Sequence, residues 1–198
     1  MPKTGGMWVS NFLRKLDSSF KRPKHLAKYN KHGFRELTDF HLPSKFVGSE
    51  YYKFGFIRDP VSWHWSIFNF QQERAIKNQN PAFDIMISGR DINEYIQNVK
   101  KFDRARARMD NMYNKIFSIG DKLECKNIFK FENLYSGLFT ALSENGLDAS
   151  ELIEEEKEKK INVGAQYEFS KMTEESLDFI YESCKEIYDK FGYERKNP

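Results

Sequence analysis

A chain of 198 residues with 39% hydrophobic and 16% aromatic side chains can bury a real core, and is too apolar and too regularly patterned for a disordered protein. The net charge is only +3, and two cysteines supply neither a disulfide framework nor a cysteine metal site, which suits a reducing compartment. No apolar run approaches the length that spans a bilayer and the start does not read as a leader, so a soluble, cytoplasmic protein is expected.

The first element is a loop, Met1-Pro2-Lys3-Thr4-Gly5-Gly6-Met7-Trp8. A lysine, a small hydroxyl residue and two glycines run straight into helical spacing. Backbone N–H groups and the positive end of a helix hold anions in such a place, and Lys3 adds a point charge. The lysine precedes the glycines, unlike the loop of nucleotide triphosphatases. Trp8, Val9, Phe12, Leu13, Leu16 and Phe20 then predict a helix from Trp8 to Phe20. Arg14 to Lys31 carries seven Lys or Arg against one acidic residue, Asp17, and reads either as a solvated face or as a surface for an anionic partner. Arg22 to Leu42 reads as loop. Tyr51 to Ile57 is aromatic and β-branched and predicts a buried strand.

Asp59-Pro60 predicts a helix start, with Asp59 as cap and Pro60 in the first turn, where its missing N–H costs nothing. Trp63, Ile67, Phe68 and Phe70 are its expected buried side. Asn78 to Gly89 reads as loop. Asp91 caps a further helix carrying Ile92, Tyr95, Ile96 and Val99. Lys100, Lys101, Arg104, Arg106 and Arg108 form a second basic stretch, but it lacks the spaced aromatics of a nucleic-acid surface, and no nucleic-acid partner is expected. Asn127 to Phe131 predicts a second strand, followed by a helix over about 133–145 that Gly146 closes. The charged run Glu151 to Lys160 predicts an exposed helix or tether. The last helix starts at Thr173 and stops at Gly192, with Leu177, Ile180, Tyr181, Cys184, Ile187, Tyr188 and Phe191 on one face. Strands alternating with helices predict an α/β domain with a parallel sheet.

The chemistry concentrates at Phe54-Gly55-Phe56-Ile57-Arg58-Asp59-Pro60, with Ser66 further on. A strand delivers Arg58 at its C-terminal end, where open α/β sheets bind ligands. Ser66 lies about two turns along the next helix, so a guanidinium and a hydroxyl can share one anion. With the Lys3 loop, this implies a ligand carrying two separate phosphate-like groups.

At this point the chain resembles the sulfotransferases that use 3′-phosphoadenosine-5′-phosphosulfate. Pro2-Lys3-Thr4-Gly5-Gly6 is similar to that family's 5′-phosphosulfate loop, and Arg58-Asp59-Pro60 with Ser66 to its 3′-phosphate motif. Lys31-His32, Phe131-Glu132-Asn133-Leu134 and the Asp189-Lys190-Phe191-Gly192-Tyr193 end resemble the carbohydrate, Golgi-type branch. The resemblance spans nearly the whole chain and implies one domain over 1–198, with a P-loop-like central parallel sheet flanked by helices in three layers. Only Met1 stands before Pro2, so the family's first strand is expected to be missing or truncated.

The implied activity is transfer of a sulfuryl group to a hydroxyl of a carbohydrate-type acceptor, without a metal. Lys3 would contact the phosphosulfate and neutralise charge on the leaving phosphate. Thr4, Gly5, Gly6, Met7 and Trp8 would add contacts from the loop and helix start, largely through backbone N–H groups, and Arg58 and Ser66 would grip the 3′-phosphate. The attacking alcohol needs a base, and among His25, His32, His41 and His64 the resemblance favours His32. His41, in His41-Leu42-Pro43, is similar to the cytosolic small-molecule branch and stands second, ahead of Glu50. A catalytically degenerate relative that keeps the fold and binds an anionic partner is the alternative. A nucleotide kinase would want a lysine after the glycines and a carboxylate for Mg²⁺, and neither is evident.

Overall fold

A computed structural model of the chain describes residues 8–9, 12–13, 15, 54–76, 88–102, 108–119, 122–123, 125, 127–157 and 168–198. Its strands are β1 (Phe54–Ile57), β2 (Ser118–Ile119), β3 (Lys122–Leu123) and β4 (Asn127–Lys130). The helices are α1 (Pro60–Ile76), α2 (Ile92–Phe102), α3 (Met109–Phe117), α4 (Leu134–Ser143), α5 (Ser150–Lys157), α6 (Glu174–Ser183) and α7 (Lys185–Phe191). The chain is thus α/β and mostly helical among the described residues. β1 and β4 pair in parallel, Phe54 opposite Asn127 and Ile57 opposite Lys130, while β2 and β3 form a small antiparallel ribbon. A parallel pair needs a long crossover, which is why these strands stand so far apart in sequence. No helix among the described residues is long and apolar enough to cross a membrane.

The residues group into two compact units, one of 1–57 with 115–162 and one of 58–114 with 163–198. In the first, side chains alternate across β1. Phe56 joins Val9 and Phe12, Leu134, Leu138 and Leu142 of α4, and Ile153 of α5 in one buried cluster. Trp8, Val9, Phe12, Leu13 and Lys15 are helical, as their spacing predicts. On the other face of β1, Gly55 lies against the ring of Phe117, and any side chain at this position would overlap it. α4 crosses β4 equally closely: a Cβ on Gly137 would sit 2.7 Å from both Cβ and Cγ of Phe129. Gly137→Ala is therefore expected to cost about 1–3 kcal/mol through overpacking, read as a lowered urea midpoint with an unchanged slope.

The strand-to-helix turn at Phe131-Glu132-Asn133 is a 3₁₀ turn leading into α4, and Gly146, at φ 72°, closes the other end of that helix region. α5 corrects the expectation of a wholly exposed charged run. Ile153 is buried in the apolar cluster, and Glu156 is buried with its Oε1 accepting from Lys15 Nζ at 2.7 Å, 141 residues away in sequence.

In the second unit α1, α2 and α6 pack on one another. Trp65 Nε1 donates to Met172 Sδ at 3.1 Å, and the Phe68 and Tyr95 rings lie 6.0 Å apart. Asp91 Oδ1 caps α2 by accepting from Asn93 and Glu94 N–H, both at 2.9 Å. Thr173 Oγ1 caps α6 by accepting from Ser176 N–H at 3.3 Å. The expected single last helix is broken at Cys184, whose backbone (φ −110°, ψ 17°) leaves the helical region and starts α7. Burial pushes the Cys184 thiol up to about 12, so it stays protonated and inert. At the closing end, Lys190 Nζ donates to Tyr113 Oη at 2.8 Å on α3, and Gly192 takes the left-handed conformation that ends α7.

Candidate anion site at the start of helix α1

β1 ends at Ile57, and Arg58 is the next residue. Asp59 then does what its position predicts. Its buried carboxylate Oδ1 accepts from Ser62 N–H at 2.8 Å, and Trp63 N–H donates to the Asp59 carbonyl at 2.8 Å, which begins the helical ladder. Pro60 occupies the first helical position. Tyr188 lies near enough that Asp59, after burial itself, helps hold its phenol protonated. Removing the cap in Asp59→Ala is expected to cost about 1 kcal/mol, seen as a melting temperature lowered by a few degrees.

α1 is buried on more sides than an amphipathic surface helix. Trp63, Ile67 and Phe68 are buried as expected, but so are Val61, His64, Trp65 and Gln71. Ser62, Ser66, Asn69 and Phe70 form a half-exposed stripe, and the end of the helix beyond Gln71 is half-exposed or exposed. Residues four apart on a helix share a face, so the two serine hydroxyls lie one turn apart on that stripe. Ser66 stands roughly 10 Å along the axis from the cap, at about 1.5 Å per residue. Half-buried Arg58 precedes the same helix. Arg58 and Ser62 thus stand at the start of the helix, and Ser66 one turn further along the same stripe. Ser62 was passed over in the sequence, although its spacing from Ser66 signals it.

Trp8, from the other unit, uses its ring for packing. Its centroid lies 5.1 Å from Tyr135 on α4, edge to face, and 5.3 Å from Phe12. These contacts anchor the helical residues Trp8 and Phe12. Lys3, Thr4, Gly5, Gly6, Met7 and the preferred base His32 lie outside the described residues, as do His25, His41 and Glu50. Of the four histidines, His64 is described, and it is a core residue. It is 1% exposed, and its Nδ1 lies 3.5 Å from Tyr95 Oη. Burial lowers its pKa to about 3, so the ring is neutral near pH 7 and shut off from any acceptor. Among the described residues, no three His, Cys, Asp or Glu side chains converge as metal ligands would.

No protein-family model, curated protein or solved structure matches this chain.

Proposed function

We propose that this protein is a sulfotransferase that moves a sulfuryl group from 3′-phosphoadenosine-5′-phosphosulfate to a hydroxyl of a carbohydrate-type acceptor. The observation that carries the reading is the run from β1 into α1. A strand of a parallel pair ends one residue before Arg58, an Asp-capped helix follows at once, and Ser66 lies on a half-exposed stripe along that helix. This is the place at which open parallel sheets present ligands. Trp8 adds support, because the residues just after the glycine loop are helical and packed on α4. A three-layer, P-loop-like architecture is part of the proposal, supported by α4 on one face of β1 and Phe117 on the other.

In this reading Arg58 and Ser66 hold the 3′-phosphate. Lys3 and the Thr4-Gly5-Gly6-Met7-Trp8 segment hold the 5′-phosphosulfate. His32, or His41 in its place, takes the proton of the acceptor hydroxyl as its oxygen attacks sulfur in line. The bond from sulfur to the phosphate oxygen breaks, and Lys3 neutralises the charge that grows on that oxygen. Positioning and electrostatics supply the rate, with no metal required.

Calorimetry with 3′-phosphoadenosine-5′-phosphate tests donor recognition, and no heat of binding at millimolar nucleotide overturns the proposal. A sulfate-transfer assay then separates enzyme from degenerate relative. Turnover lost in Lys3→Ala and His32→Ala rules out the non-catalytic reading, and nucleotide binding without turnover favours it.

A further inference from the structure

We propose that the groove between α4 and α5 binds a neutral saccharide, with Phe139 as the surface on which the sugar ring stacks. The groove has a volume of about 520 Å³, inside the range of roughly 300–1,000 Å³ typical of small-molecule sites. Its floor is buried Ile153, and its wall is Tyr135 and Phe139, one turn apart on α4. Phe139 is 43% exposed, a large apolar side chain left facing solvent within the groove. The rim is polar: Glu132 and Asn133 at the start of α4, and Glu154 with Lys157 on α5.

A pyranose has a face of polarised C–H bonds and an edge of hydroxyls. The C–H face suits the electron-rich face of an aromatic ring. The hydroxyls donate to carboxylates and to an amide oxygen, and the amide N–H₂ of Asn133 donates back. Asn133 makes no capping bond with its side chain. Charge narrows the ligand further. Two carboxylates face one ammonium, and Lys157 is already ion-paired with Glu154. A polysulfated or phosphorylated ligand meets net repulsion here, so the groove selects uncharged sugars by rejecting polyanions.

Tyr135 also connects the groove to the amino-terminal helix, because it lines the groove and packs on Trp8. Trp8 stands five residues after Lys3. Within the sulfotransferase reading this saccharide is the acceptor, a role that rests on that reading, whereas binding itself does not.

The test is an NMR titration of the full chain with galactose, glucose, N-acetylglucosamine and lactose, and in parallel with a heparin-type hexasaccharide. The expected result is saturable shifts at groove residues with at least one neutral sugar and none there with the polyanion. Phe139→Ala is expected to weaken that binding by about tenfold or more, and Phe139→Trp to retain it. No saturable shift with any of the neutral sugars overturns the proposal, as does binding unchanged in Phe139→Ala, or the hexasaccharide occupying the groove. Nucleotide calorimetry on the same sample keeps the two ideas apart. Sugar binding without nucleotide binding upholds the groove and removes the acceptor role, and nucleotide binding without sugar binding overturns the groove alone.

Discussion

Replacing Arg58 with alanine is expected to weaken binding of 3′-phosphoadenosine-5′-phosphate by roughly 10–100-fold, because a charge-assisted hydrogen bond contributes about 1.5–3 kcal/mol. The fold should survive. Arg58 is half-buried and stands before the helix, whose start depends on Asp59 and Ser62. Arg58→Lys separates charge from shape: it keeps the positive charge but loses the planar fork, so an intermediate loss is expected. Ser66→Ala removes one neutral hydroxyl and should cost less, about 0.5–1.5 kcal/mol. Calorimetry reads all three, with far-UV circular dichroism as the control for folding. An Arg58→Ala protein that folds and binds the nucleotide as tightly as the parent would place the 3′-phosphate elsewhere.

Acidification is expected to destabilise the protein through His64 before most carboxylates titrate. The folded-state pKa of about 3 lies below the ordinary value of 6.5, and desolvation by burial is the cause. The unfolded chain therefore binds a proton that the folded chain refuses. Stability is full above the unfolded value and is lost as the pH falls from 6.5 toward 3. The slope approaches a little over 1 kcal/mol per pH unit, so about 2–3 kcal/mol should be gone by about pH 4.5. That is a large share of the roughly 5–15 kcal/mol that holds a typical domain together. Urea titrations across this window measure the loss. His64→Asn should start from lower stability, since it leaves a polar group among Trp63 and Tyr95, but its stability should vary far less with pH above about 4.5. A parent protein equally stable at pH 6.5 and 4.5 would mean that water reaches the imidazole in the folded state.

The features legible in the residues are those decided within a few positions. Asp59, Asp91 and Thr173 cap helices because each side-chain oxygen reaches an N–H two or three residues on. Gly146 and Gly192 end helical segments because each takes a positive φ, which other residues adopt at a cost. The helix start at Asp59-Pro60 was readable for the same reason, and with it the positions of Arg58 before that helix and Ser66 along it. α3 was not expected, although Met109, Met112, Tyr113, Ile116 and Phe117 have helical spacing, because at nine residues it is short and has no glycine to mark its end.

By itself, then, the order of residues determined where α1, α2 and α6 start, where Gly146 and Gly192 end helical segments, and which side chain stands at each of those corners. These are contacts between near neighbours and need nothing else to form. Only the tertiary structure decided that β1 lies beside β4, that Glu156 is buried against Lys15, and that α1 buries His64, Trp65 and Gln71 as well as its apolar stripe. It likewise decided that the final helix breaks at buried Cys184 and that Phe139 stands exposed in a groove. Each of these is set by a partner far along the chain. Burial is the property of a completed packing arrangement, and no local pattern of residues carries it.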